Sequence, residues 1–216
     1  MRAEVDIVLP CLNEAAALEW VLTRIPQAAR AVVVDNGSVD GSAEIARQLG
    51  AYVVSCDRRG YGAACHTGLE AATADLVAFC DCDASLDPAD AVRLAQAASG
   101  PRHLVVGRRR PSSRAAFPVR MRVANAELAR RVRRRAGVDL RDIGPIRAAR
   151  RVDLLALGVA DRRSGYPVET VVRAADAGWR VTQLDVAYAL RIGTSKVTGT
   201  LRGSLRAVRD ATAALA

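Results

Sequence analysis

Leu76-Val77-Ala78-Phe79-Cys80-Asp81-Cys82-Asp83 is an apolar run that stops abruptly at two acids one residue apart. A short continuous apolar run of this kind is expected to be a strand buried on both faces. Along an extended chain alternate residues share a side, so Asp81 and Asp83 should face one way and Cys82 the other. Two hard oxygen ligands at a strand end suit Mg²⁺ or Mn²⁺, with water and phosphate oxygens completing the coordination. The plainer reading is a pair of loop aspartates, one capping the next helix. Asp87, directly ahead of Pro88, already fills that cap role.

Upstream, short apolar runs alternate with helical patterns. Val5 to Leu9 is a strand ending at Pro10; Asn13 is a candidate N-cap for a helix from about Ala15 to Ile25. Strands over Ala31–Val34 and Tyr52–Ser55 alternate with helices over Gly41–Leu49 and Ala63–Ala72. Downstream come a helix from Asp87 to about Ala98 and a strand over Leu104–Gly107. This order predicts an α/β fold with a mostly parallel sheet sandwiched by helices. Ligands in such sheets sit beyond the carboxyl ends of the strands. Asn13 and Glu14, Asp35, and Asp81 with Asp83 all fall at those ends, on one rim.

Two further loops belong to that rim. Asp35-Asn36-Gly37-Ser38 places a carboxylate at a strand end, able to accept from a base or ribose, with Gly37 allowing close backbone approach. An Asx-turn with a helix cap at Ser38 or Asp40 is compatible with that role. Arg58-Arg59-Gly60-Tyr61-Gly62-Ala63-Ala64 resembles part of a dinucleotide fingerprint, but Cys65 stands at the final glycine position and the loop follows the third strand. The first strand runs into Pro10-Cys11-Leu12-Asn13-Glu14 without a glycine, which argues against NAD. Gly60 and its arginines before a helix N-terminus are expected to touch phosphate or ribose.

After Arg110 the pattern changes. A loop over Pro111–Arg114 precedes an arginine-rich helix over Val119–Ala136 and an irregular stretch from Asp139 to Arg147. A helix over Pro167–Ala177, a hairpin or edge strands at Trp179–Val181 and Leu184–Tyr188, and an amphipathic helix from Gly199 to Ala216 complete the chain. No linker or repeat divides it, so residues 1–216 read as one domain whose second half forms a lobe on the first.

Composition narrows the function classes. Half of the 216 residues are apolar and a quarter charged, as in a globular protein. No apolar run approaches the ~20 residues that span a bilayer, and Met1 to Asp6 lacks a signal-peptide layout. A cytoplasmic protein is expected. Cysteines at 11, 56, 65, 80 and 82 form no zinc knuckles and read as buried thiols. The net charge of +9 concentrates between Arg102 and Arg151, which suits nucleic acid, an anionic membrane surface or phosphorylated substrates. Aromatics make up only 4%, leaving little for base stacking and arguing against nucleic acid.

The pieces Leu9–Glu14, Val34–Ser42, Gly60–Ala64 and Asp81–Asp83 occur in the order seen in family-2 glycosyltransferases of the GT-A fold. Within that family the chain most resembles the soluble catalytic domain of polyprenyl-phosphate (dolichyl-phosphate) mannosyl- and glucosyltransferases. Ser164-Gly165-Tyr166-Pro167-Val168-Glu169 and Arg191-Ile192-Gly193-Thr194-Ser195-Lys196 are similar to two late segments of that group. Asp142 to Arg147 falls where the group carries an Asp-to-Arg segment. The resemblance implies a nucleotide-sugar-binding half, 1–110, and a C-terminal acceptor-binding half, 111–216. It implies that Pro10, Asn13, Glu14 and Asp35 line the nucleoside pocket of a UDP- or GDP-linked sugar. Asp81 and Asp83 would hold the metal on the diphosphate, Ser85 would be a further weak ligand, and Arg191, Ser195 and Lys196 would close over the phosphates.

The resemblance also implies one inverting displacement. An alcohol acceptor would need a general base, for which Asp142 and Glu169 are the candidates. A phosphate acceptor, such as a polyprenyl phosphate, is largely ionised at neutral pH, its second pKa being ~6, and needs cations instead. Arg108, Arg109, Arg114, Arg120 and Arg122 lie where an acceptor-binding segment would follow. A basic surface would bring peripheral contact with the inner face of a membrane. The alternatives are a sugar-phosphate nucleotidyltransferase, for which the first loop lacks glycine and arginine, and a non-catalytic nucleotide-sugar binder.

Overall fold

The computed structural model describes residues 4–193, 209–210 and 212–215. Strands β1 (Val5–Cys11), β2 (Ala29–Asp35), β3 (Tyr52–Ser55) and β4 (Leu76–Phe79) alternate with helices α1 (Ala15–Leu22), α2 (Ser42–Gln48) and α3 (Tyr61–Ala71). Then follow α4 (Pro88–Ala97), β5 (His103–Pro111), α5 (Val119–Ala136), β6 (Arg147–Arg150), α6 (Arg151–Ala156), α7 (Tyr166–Asp176) and β7 (Arg180–Tyr188). The seven strands form one sheet in the order β3-β2-β1-β4-β6-β5-β7. Only β6 runs against its neighbours β4 and β5; the other pairings are parallel.

Strand alternation sorts the core into two layers. Val8, Val32, Val34, Val77, Phe79 and Val106 meet α3, α5, α6 and α7 on one face. Ile7, Leu9, Val33, Ala78 and Val105 meet α1, α2 and α4 on the other. Both faces are covered, which is why these strands read as continuous apolar runs rather than as alternating ones.

Several boundaries differ from expectation for physical reasons. Asn13 is not the cap of α1: it sits at φ 54, its backbone N–H donates to Ser38 Oγ and its side-chain oxygen accepts from Val39 N–H. Glu14 takes the N-cap position. Asp87 does cap α4, accepting from Ala89 N–H at 2.9 Å.

The second half also contributes strands to the sheet. β6, formed by the end of the stretch expected to be irregular and the residues after it, inserts between β4 and β5, and β7 is one edge strand of nine residues rather than a hairpin. Both halves therefore share a sheet. The helix expected from Gly199 to Ala216 lies mostly outside the described residues, and Ser195 and Lys196 lie outside them altogether.

Candidate active site

Beyond the carboxyl ends of β1 and β4 opens a cavity of about 710 Å³. Its donor side is built by Pro10, Cys11, Leu12, Glu14, Asn36, Arg58, Arg59, Gly60 and Tyr61, with Asp81 and Asp83 at its base. The facing wall comes from the second half: Arg109, Met121, Ile143, Gly144, Pro145, Arg147, Arg163, Tyr188 and Arg191 among others. Six arginines thus face three carboxylates, so the cavity suits a ligand carrying several negative charges.

Asp81 and Asp83 both reach it. Asp83 is almost fully buried; its Oδ1 accepts from the backbone N–H and hydroxyl of Ser85, and its Oδ2 pairs with Arg191 at 3.0 Å. Ser85 is itself buried and braces Asp83, so it does not stand in the cavity as a ligand. Asp81 accepts from the Tyr61 hydroxyl at 3.3 Å. Burial, then the neighbouring Asp83 charge, push the Asp81 carboxyl up to about 6 despite Arg191, Arg147 and Arg109. Two crowded carboxylates with hard oxygens fit a divalent cation. The described residues offer no group of three or more His, Cys, Asp or Glu for one, so diphosphate oxygens and water would supply the rest.

Arg191 arrives through a backbone latch. Ala189 N–H donates to Ser85 O and Ile192 N–H to Asp83 O, both at 2.9 Å, so the chain after β7 runs back along the acid triplet. Gly193 follows, where an added Cβ would stand 4.0 Å from Glu14 Oε2.

The other expected nucleoside residues divide. Pro10 and Glu14 line the cavity, whereas Asn13 and Asp35 do not. Asp35 Oδ1 accepts from Ser38 N–H at 3.0 Å, and Asn13 ties the first loop to the second. Asn36 lines the wall instead, and its side chain holds the third loop through Cys56 O, Arg58 O and Gly60 N–H. Gly60 is present, but the phosphate cradle expected at the start of α3 is not. Gly62 and Ala63 N–H groups donate to the carbonyls of Arg163 and Arg162 at 2.9 and 2.8 Å. Gly60, at φ +143, is needed because a Cβ there would meet Arg162 O at 2.2 Å.

Neither expected general base stands free in the cavity. Asp142 is buried behind Arg109, whose guanidinium it binds through both oxygens, and the backbone N–H groups of Arg109 and Gly144 add two further donors. Burial raises its pKa, but Arg109 and the backbone donors outweigh that and hold it below the usual carboxylate range. Glu169 lies in α7, away from the cavity, accepting from Ala160 N–H, Asp161 N–H and Arg173. Against burial, those donors lower its pKa too.

Of the expected acceptor arginines, Arg108 points the wrong way. Alternation along β5 sends Arg108 and Arg110 to Asp185 on β7 and turns Arg109 to the cavity. Arg114 and Arg120 are exposed outside it. Arg147, which ends the segment from Asp142 that resembled the family's, lines it from β6, and Arg163 lines it from a loop whose sequence carried no signal beyond residue type.

A family model described as glycosyl transferase family 2 matches residues 6–156. The chain belongs to that family. It is 50% identical over 207 residues to a protein of Mycobacterium tuberculosis (strain H37Rv) called an uncharacterized glycosyltransferase, covering 95% of both chains. It is 26% identical over 197 residues to a dolichyl-phosphate hexose transferase of Haloferax volcanii, covering 90% of this chain and 86% of that one. Among solved structures, glucosyl-3-phosphoglycerate synthase from M. tuberculosis in complex with Mn²⁺, UDP and phosphoglyceric acid superimposes with a TM-score of 0.74. The two are 25% identical, and the match covers 99% of this chain and 77% of that one. The mostly parallel sheet between helices is thus the GT-A architecture, and the enzyme is a glycosyltransferase.

Proposed function

We propose that this glycosyltransferase moves a sugar from a nucleoside diphosphate sugar, UDP-linked as in the mycobacterial synthase, onto a phosphate-bearing acceptor by a single inverting displacement. The observation that carries this reading is the asymmetry of the cavity. Asp81 and Asp83 lie at its base, and the wall from Arg109 to Arg191 has arginines but no carboxylate or imidazole. Residues outside the description include no Asp, Glu or His.

An acceptor without a general base must arrive ionised, and a phosphate monoester does. Arg109, Arg147 and Arg163 supply the cationic field for it. A divalent cation on Asp81 and Asp83 would stabilise charge developing on the leaving diphosphate. Arg191, beside Asp83, adds a fixed positive charge at the same place.

A lipid-borne phosphate fits better than a soluble one. Val119 and Val123, one turn apart on α5, are 65% and 63% exposed, beside Arg114, Arg120 and Arg122. These three arginines have no ion-pair partner among the described residues, whereas Arg130, Arg131 and Arg135 do. Met121, on the opposite side of the same helix, lines the cavity, so α5 lies between this basic, apolar face and the site. The dolichyl-phosphate hexose transferase likeness supports the same choice. No described helix is long and apolar enough to cross a membrane, so the proposed contact is peripheral.

Calorimetry on the whole chain tests the assignment. UDP-sugar should bind with Mn²⁺ and lose that dependence in Asp83→Ala. Arg109→Gln should weaken a prenyl phosphate while leaving the UDP-sugar untouched. Metal-independent donor binding in the wild type would contradict the reading.

A further inference from the structure

We propose that Tyr61 and Arg147 are positioning residues for the cation site, together fixing which oxygen of Asp81 is turned to the metal. The inference rests on the assignment of Asp81 to a cation, and deepens it.

Arg147 is 1% exposed, on β6, directly across from Phe79 of β4. Its guanidinium lies 5.8 Å over the Phe79 ring, and no acid is within ion-pair distance among the described residues. Nη1 donates to Gly144 O at 2.9 Å and Nη2 to the Tyr61 oxygen at 3.1 Å. Gly144 is fixed in turn, at φ +64 with no room for a side chain.

A guanidinium can only donate. The Tyr61 oxygen therefore accepts from Arg147, and its single proton is left to point elsewhere. The oxygen acceptor in reach is Asp81 Oδ1, at 3.3 Å; the Cys65 thiol beside the hydroxyl is the weaker, sulfur alternative. A phenol, with an ordinary pKa of ~10, keeps its proton at neutral pH. The relay consequently has one direction: Arg147 to Tyr61 to Asp81. It holds Oδ1 against Tyr61 and leaves Oδ2 for the cavity. At 3.3 Å the last contact exceeds the usual ~2.7–2.8 Å of an O–H···O bond, so its contribution is chiefly orientation.

Packing alone does not explain the arginine. An apolar side chain of similar size would fill the space beside Phe79 without the desolvation cost of a buried charge. Besides its charge beside the cavity, the arginine provides a donor that turns the tyrosine proton toward the acid triplet. The reversed strand β6 is what brings it there.

The test uses the whole chain with UDP present, reading Mn²⁺ affinity by the paramagnetic resonance of free Mn²⁺. Tyr61→Phe should weaken Mn²⁺ about tenfold or more, as loss of a partner that orients a metal ligand does. Cation-free UDP affinity should change far less than Mn²⁺ affinity, while the thermal midpoint should fall by the same amount with and without cation, because Arg147 Nη2 loses its acceptor. Arg147→Met should weaken Mn²⁺ similarly, and the double variant should be no worse than Tyr61→Phe within about twofold, because both act through one proton. Tyr61→Phe decides by itself if Arg147→Met does not fold. Mn²⁺ held by Tyr61→Phe within twofold of wild type would overturn the proposal, as would an equal loss of cation-free UDP affinity or additive losses in the double variant. A wild-type protein that takes no Mn²⁺ with UDP overturns the cation assignment itself, and the positioning role with it.

Discussion

Arg109 and Asp142 form a two-pronged ion pair, with Nε 3.0 Å from one carboxylate oxygen and Nη2 2.6 Å from the other. The same guanidinium lies 4.3 Å over the Phe117 ring, and Nη2 also donates to Asn125 at 2.9 Å. The pair therefore aims Arg109 at the cavity, and Asp142 acts by holding it. Asp142→Ala should cost about 3–5 kcal/mol in denaturant unfolding, the range for breaking a buried pair. The pH profile of turnover should keep its shape, whereas loss of a general base would remove a limb.

Gly144 gives a sharper packing test. A Cβ there would meet Gly107 O at 2.2 Å, in a backbone conformation that already disfavours side chains. Gly144→Ala should displace the loop between Asp142 and Arg147, destabilising the chain by roughly 1–3 kcal/mol. Prenyl-phosphate affinity should fall further than UDP affinity, since the loop belongs to the acceptor wall.

Asp6 makes stability depend on pH. Its carboxylate, buried at the start of β1, accepts from Arg30 and from Thr73 and Ala74 N–H. Burial raises its pKa, but Arg30 and those N–H groups outweigh it, so the folded value lies below the ordinary one. The unfolded chain then binds the proton more readily. The contribution is full above the unfolded pKa of ~3.9 and is lost as pH falls through the folded value. Asp6→Asn should flatten the acid limb of a stability–pH curve and cost about 3 kcal/mol at neutral pH, low in the range because Arg30 reaches solvent.

The exposed face of α5 predicts membrane binding that can be weighed. Replacing Arg114, Arg120 and Arg122 with glutamine should weaken partition onto anionic phosphatidylglycerol vesicles roughly 150-fold, at about 1 kcal/mol per charge. Neutral phosphatidylcholine vesicles should show little difference. Flotation of both proteins at low and high salt measures this.

The first strands and the acid triplet were legible because buried parallel strands advertise themselves as apolar runs with polar ends, as Leu76–Phe79 does before Asp81. Arg147-Ala148-Ala149-Arg150 was not, since its place in the sheet comes from pairing on both sides rather than from its own pattern. Arg108 and Arg109 were both candidates because alternation decides between them only once β5 is known to continue to Pro111, past the apolar run that ends at Gly107. Asp142 was found as an acid near the site; its commitment to Arg109 is tertiary and left no mark on the local sequence.

The central claim is that the acceptor arrives already charged. Its most direct test is transfer of labelled sugar from a UDP-sugar with Mn²⁺, comparing a polyprenyl phosphate with the free alcohol of the same chain length. The account predicts a sugar-phosphate-lipid product, of inverted anomeric configuration, from the phosphate alone. Equal transfer to the alcohol would contradict it.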